Sequence, residues 1–183
     1  MDAILDAVVR LLRREGHKAI TTNRIAEVAG VSIGSVYQYF PNKQAIFSAL
    51  HERHLNQIDR IVQGKLVEHA ASPLEVLIRA MVDGMIEAHT PDPELYQMLQ
   101  TEVPHRADGS RDFAVRLEGA FRLALSSHRD EVNRVASLDT MVFIVANMVD
   151  GLCHSALLRR PRSLSLAKAK EAVTQAILAY LRG

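Results

Sequence analysis

From Ile4 to Leu181 the apolar residues of this chain return every three or four positions, and no run alternates apolar with polar over a β-branched stretch. That period leaves an all-α fold as the expected class. Ile4, Leu5, Val8, Leu11 and Leu12 mark the first helical face, from about Asp2 to Glu15, with Gly16 placed to end it. After Pro41 and a cap at Asn42, Ile46, Leu50, Ile58, Ile61 and Val62 carry a long helix. Ser72, Pro73 and Glu75 read as the cap, first-turn proline and capping-box acid of another, whose face is Leu74, Leu77, Ile78, Met81, Val82 and Met85. Thr90-Pro91-Asp92-Pro93 ends it and opens a short helix from Glu94 to Gln100, and Asp108-Gly109 marks the next turn. Three more helices follow, from Arg111 to His128, Leu138 to Arg159, and, past Pro161 and a cap at Ser165, Leu166 to Leu181. The pattern predicts about nine helices, without internal repeats or a low-complexity linker.

Apolar residues are 48% and charged residues 23% of the 183, the balance of a packed, water-soluble fold. Cys153 is the only cysteine, which rules out an intramolecular disulfide and fits a reducing cytoplasm. Met1 runs straight into a charged amphipathic stretch (Asp2, Asp6, Arg10, Arg13, Arg14), so secretion is not expected. No segment is expected to reach the ~20 apolar residues of a membrane span: Leu138 to Leu158 is interrupted by Asp139, Asn147, Asp150 and His154 and reads as a buried helix. Net charge is only +1, but from Gly16 to Ile46 Lys18, Arg24 and Lys43 face one acid, Glu27, which favours a phosphate-contacting end.

Function concentrates between Thr22 and Phe40, which reads as two short helices separated by one tight turn. Ala26 is small where the helices would cross, Gly30 suits a turn needing positive φ, and Ile25, Val31 and Val36 supply a shared apolar core. These coincident requirements define a helix-turn-helix. Its second helix opens at Ser32 with outward-pointing amides that suit a phosphate or a groove, and Gly34 would let DNA approach closely.

Thr21-Thr22, Ile25-Ala26, Ala29-Gly30-Val31-Ser32, Gly34-Ser35-Val36-Tyr37 and Tyr39-Phe40-Pro41-Asn42-Lys43 together resemble the TetR family of bacterial regulators. The resemblance implies an N-terminal three-helix DNA-binding domain, taken as residues 1–46, and a C-terminal domain, residues 47–183, that dimerises and holds a small effector. It also implies a transcriptional regulator, in its commonest form a repressor released from a palindromic double-stranded DNA operator. Carried over by position, Thr22, Ser32, Tyr37, Tyr39 and Lys43 would contact the DNA backbone. Asn23, Ile33, Gly34, Ser35 and Gln38 are candidates for base edges. The chemistry agrees, since hydroxyls and an ammonium suit phosphate oxygens, Gln38 or Asn23 could bridge an adenine, and Ile33 could press on a thymine methyl. An alternative makes Tyr37 or Tyr39 core of the small domain.

The rest of the chain offers weaker signals. On the helix from Leu138, one face carries Leu138, Met141, Val145, Met148, Val149 and Leu152. The other carries Phe143, Asn147, Asp150 and His154, which would line an effector cavity or else face solvent or a partner. Met81, Met85 and Met98 could line an adaptable apolar pocket or serve as core. The homodimer interface is expected on the last two long helices, with Val145 and Ile177 as representatives. His51 and His54, with His69 or His89, lack the spacing of a metal site, and no cofactor is expected. No Gly-rich phosphate loop, H-E-x-x-H or G-x-S-x-G is present, so an enzyme is not expected. The competing class is a helical protein-interaction module with no operator.

Overall fold

The computed structural model describes residues 1–90, 92–103, 108–133 and 135–183. Its described residues form nine α-helices: α1 (Asp2–Glu15), α2 (Thr22–Ala29), α3 (Ile33–Tyr39), α4 (Lys43–Glu68), α5 (Leu74–His89), α6 (Pro93–Glu102), α7 (Asp108–Ser127), α8 (Leu138–Leu158) and α9 (Leu166–Arg182). The fold is all-α, as the periodicity predicts. Local signals set most boundaries. Asn42 Oδ1 accepts from the Ala45 N–H at 2.9 Å, and Ser165 Oγ from the Lys168 N–H at 3.2 Å, each satisfying an amide that a helix start leaves bare. Asp92 caps α6 in the same way, with Pro93 in the first turn. Position 91 of the turn expected at Thr90 to Pro93 lies outside the described residues.

Two expected boundaries are corrected. Helix α7 begins at Asp108, so Asp108 and Gly109 belong to its first turn and not to a preceding turn. At α5 the expected capping box does not form: Pro73 precedes the first helical residue and no side chain caps locally. The Leu74 N–H donates instead to both carboxylate oxygens of Glu131, each at 3.1 Å, from far along the chain. Ser72 Oγ lies 3.5 Å from His69 Nδ1, and Glu75 pairs with Arg79 and Arg182.

The chain packs as two compact units, residues 1–55 with 92–110, and residues 56–91 with 111–183. This division differs from a single cut after residue 46, because a later segment returns to the first unit. In that unit Ile4, Leu5, Val8, Leu11 and Leu12 of α1 meet Ile25, Val36, Phe40, Ile46, Phe47 and Leu50, with Met98, Leu99 and Val103 from the returning segment. Polar ties hold α6 there: Arg13 Nε pairs with Asp92 at 2.7 Å, His17 Nε2 with Glu102 at 3.0 Å, and the Gln44 amide donates to the Glu102 carbonyl.

In the second unit α5, α8 and α9 pack against one another. Leu74, Leu77, Ile78, Met81, Val82 and Met85 of α5 are buried, as predicted. Helix α8 turns Met141, Val142, Val145, Ala146, Val149, Cys153 and Ala156 inward. At 21 residues α8 is, by length and composition alone, apolar enough to cross a membrane, contrary to the expectation that no segment approaches that limit. Packing accounts for one apolar face. The opposite face, with Phe143, Asn147, Asp150 and Leu152, is on the protomer surface.

Candidate nucleic-acid interface

The head is built from the N-cap of α2 outward. Thr21 caps α2 by accepting from the Arg24 N–H at 3.3 Å, and the helix ends at Gly30, whose φ of 70° and ψ of 31° place it in the left-handed region. There Val31 N–H reaches back to the Ala26 carbonyl at 3.0 Å, closing the turn as the glycine predicted. Ser32 then caps α3, its Oγ accepting from the Ser35 N–H at 3.0 Å and lying 2.9 Å from Ser35 Oγ. Any phosphate contact by Ser32 must share a hydroxyl already engaged in capping.

Burial sorts the rest. Ile25 and Val36 are fully buried and Val31 is partly so, which makes the shared core of the two helices. Ile33, Gly34, Tyr37, Gln38 and Tyr39 are exposed, and Ser35 is half-buried. Tyr37 and Tyr39 are 52% and 59% exposed, so neither is core. Exposing this much aromatic and aliphatic side chain on a seven-residue helix costs apolar burial that the fold does not recover, which marks a surface kept for a partner. Tyr37 OH lies 3.4 Å from Thr22 Oγ1, so the α2 start and the middle of α3 present two hydroxyls together. Asn23 is exposed beside them. Lys43, at the start of α4, sits with its Nζ 5.3 Å from the centre of the Phe47 ring, a cation–π position that steadies the ammonium.

The charge count needs correcting. Arg24 is not a free cation: its guanidinium bonds Glu15 at 2.7 Å and Glu27 at 2.5 Å, and these partners, Glu27 first, hold it more firmly protonated than an ordinary arginine. Arg10 donates to the Val28 carbonyl at 3.0 Å, a second tie between α1 and α2. Sequence inspection missed both, because partners 9 and 18 residues apart across two helices leave no local pattern.

The expected effector residues do not converge. Met98 is core of the first unit, with α1 and α4, whereas Met81 and Met85 are core of the second. Phe143, Asn147 and Asp150 lie on the outer surface of α8, with His154 half-buried, and the Asn147 amide donates to the Phe143 carbonyl at 2.7 Å. The expected interface residues are also corrected. Val145 and Ile177 are 0% exposed inside the protomer, because the 141/145/149 stripe of α8 and the 173/177/181 stripe of α9 fill the core. His51 and His54 are buried, and the His54 ring lies 5.9 Å from that of Tyr96.

Two short helices crossing at a left-handed glycine turn, the second offering exposed tyrosines, glutamine and serine beside a lysine, define a helix-turn-helix DNA-binding protein. Residues 4–50 match the family model described as bacterial regulatory proteins, tetR family, and residues 73–181 match that of the tetracyclin repressor-like C-terminal domain. The chain belongs to the TetR family of bacterial regulatory proteins. It is similar to the nucleoid occlusion factor SlmA of Haemophilus ducreyi, 31% identical over 97 residues that cover 52% of this chain and 47% of SlmA. The chain thus spans about half the length of that relative. In fold it is similar to a protein of unknown function from Rhodococcus sp. RHA1, with a TM-score of 0.76, 14% identity, and coverage of 100% of this chain and 95% of the other. It is also similar to the transcriptional regulator FadR of Bacillus subtilis in complex with stearoyl-CoA, with a TM-score of 0.74, 17% identity and 99% of each chain covered.

Proposed function

We propose that this chain is a cytoplasmic, non-enzymatic homodimer that represses transcription from a palindromic operator and leaves it when a small apolar or amphipathic molecule binds. In this reading residues 1–46 carry the DNA-reading surface, and residues 47–183 carry the effector and dimer functions. The observation that carries it is α3, whose exposed Ile33, Tyr37, Gln38 and Tyr39 have no use in the protomer core. One such helix is a small contact, and two related by a two-fold axis read a palindrome. The outer faces of α8 and α9 support a dimer: Phe143 is 57% exposed, Leu152 is exposed, and Ala172, Ala176 and Ala179 leave α9 open to close approach. The stearoyl-CoA complex of FadR makes a long acyl thioester the first effector to try.

Selection of bound sequences from a random DNA pool, mapped to the source genome, tests the first part; a palindrome upstream of a gene is the expected result. Titrating stearoyl-CoA into the complex with that DNA tests the second. If it weakens DNA binding, DNA must weaken its binding by the same factor. Selection that returns no motif would overturn the regulator reading, and equal acyl-CoA affinities with and without DNA would remove that effector.

A further inference from the structure

Arg24 is the third residue of α2, directly after the DNA-facing Thr22 and Asn23, where the helix dipole disfavours a cation. No acid occupies that first turn, and yet two carboxylates stand against it: Glu15 from the end of α1 and Glu27 one turn on. Glu27 is well exposed, and either carboxylate left bare beside the reading surface would repel the phosphates that α2 and α3 must approach. A guanidinium has two NH2 arms in one rigid plane, and here each arm holds a different carboxylate. A lysine ammonium, a single point charge on a flexible stem, would not keep both in one fixed arrangement.

We propose that Arg24 is a built-in counter-ion that masks Glu15 and Glu27 from the DNA backbone, and is not itself a phosphate contact. The trio carries a formal charge of −1; Arg24→Gln makes it −2, and the triple change Glu15→Gln, Arg24→Gln, Glu27→Gln makes it 0. The two readings of Arg24 therefore part company in the triple variant. The tie from Arg10 to the Val28 carbonyl uses none of the three substituted side chains.

The test uses the full chain and a labelled random-sequence DNA duplex, with binding measured by anisotropy over a salt series and thermal melts run in parallel. Arg24→Gln should weaken binding about tenfold for two half-sites at low salt, a loss that fades as salt screens the bared carboxylates. The triple variant should return to within about twofold of the parent with the parental salt slope. Three results would overturn the proposal. If the triple variant stays as weak as Arg24→Gln and both flatten the slope by about 0.9 per half-site, Arg24 touches a phosphate itself. If it stays weak with the parental slope, the salt bridges matter as a mechanical joint. If Arg24→Gln binds as tightly as the parent, no masking is needed.

Discussion

Replacing Gly34 with alanine should separate the needs of the fold from those of DNA. Gly34 is an ordinary helical residue, outside the glycines with positive φ, and a Cβ built on it would meet only Ser32 Oγ, at 3.7 Å, a normal contact. In the free protein the methyl therefore costs nothing in space and relieves the helix of its most flexible residue, a gain of roughly 0.5–1 kcal/mol. For a chain of this size that raises Tm by about 1–4 °C. On DNA the same methyl would stand between α3 and the groove, and forcing it into a packed contact costs about 1–3 kcal/mol per half-site, so affinity should fall at least tenfold. Scanning calorimetry and anisotropy on the selected operator measure the two effects. A lower Tm would refute the account of the free protein, and unchanged affinity would show that DNA does not approach α3 at Gly34.

Phe143→Asp should give monomers with an intact circular-dichroism spectrum, whereas Val145→Asp, two residues on, across the helix and fully buried, should unfold the protomer; a folded Val145→Asp variant in a sedimentation run would contradict the core assignment. His89 is buried, chiefly by desolvation held at a pKa of about 4 against an ordinary 6.5, so its neutral form stabilises the fold above pH 6.5 and that contribution, on the order of 3 kcal/mol, is lost as pH falls toward 4. Urea unfolding of the parent and of His89→Gln across that window should show a steeper pH dependence in the parent, and parallel curves would exclude His89 as the source. Burial pushes the Cys153 thiol up to about 12, so a thiol reagent at pH 8 should label it only on unfolding; fast labelling of the native protein would contradict its burial.

The reading head was legible in the sequence because its determinants are short-range: Gly30 needs its φ, Ser32 bonds Ser35, and Ile25 meets Val36 across a few residues. Helix α8 was harder. Periodicity located its length and part of its inward face, Met141, Val145 and Val149, but not the rest. The true stripe includes Ala146, Cys153 and Ala156, which weigh little on any hydrophobic pattern, while the bulkier Leu152 lies outside. Met98 looked like Met81 and Met85 because composition carries no information about which unit a helix joins. Glu131 could not be matched with Leu74, since a cap supplied from 57 residues away obeys no spacing rule. The charge balance around Arg24 left out its second acid for the same reason: Glu15 sits on another helix.

The return of residues 92–110 to the first unit has a consequence for anyone who would transplant the reading head. A cassette cut after Leu55 would lose Tyr96, Met98, Leu99 and Val103, all nearly or wholly buried, and would bare the apolar side chains of α1 and α4 that they cover. Such a fragment should be insoluble, and a chimera that grafts residues 1–55 onto a foreign regulator would inherit a mismatched seam wherever the host's own returning helix differs at those positions. On the proposed reading, swapping specificity within this architecture therefore calls for changing exposed Asn23 of α2 and the exposed residues of α3, leaving the discontinuous core beneath them untouched.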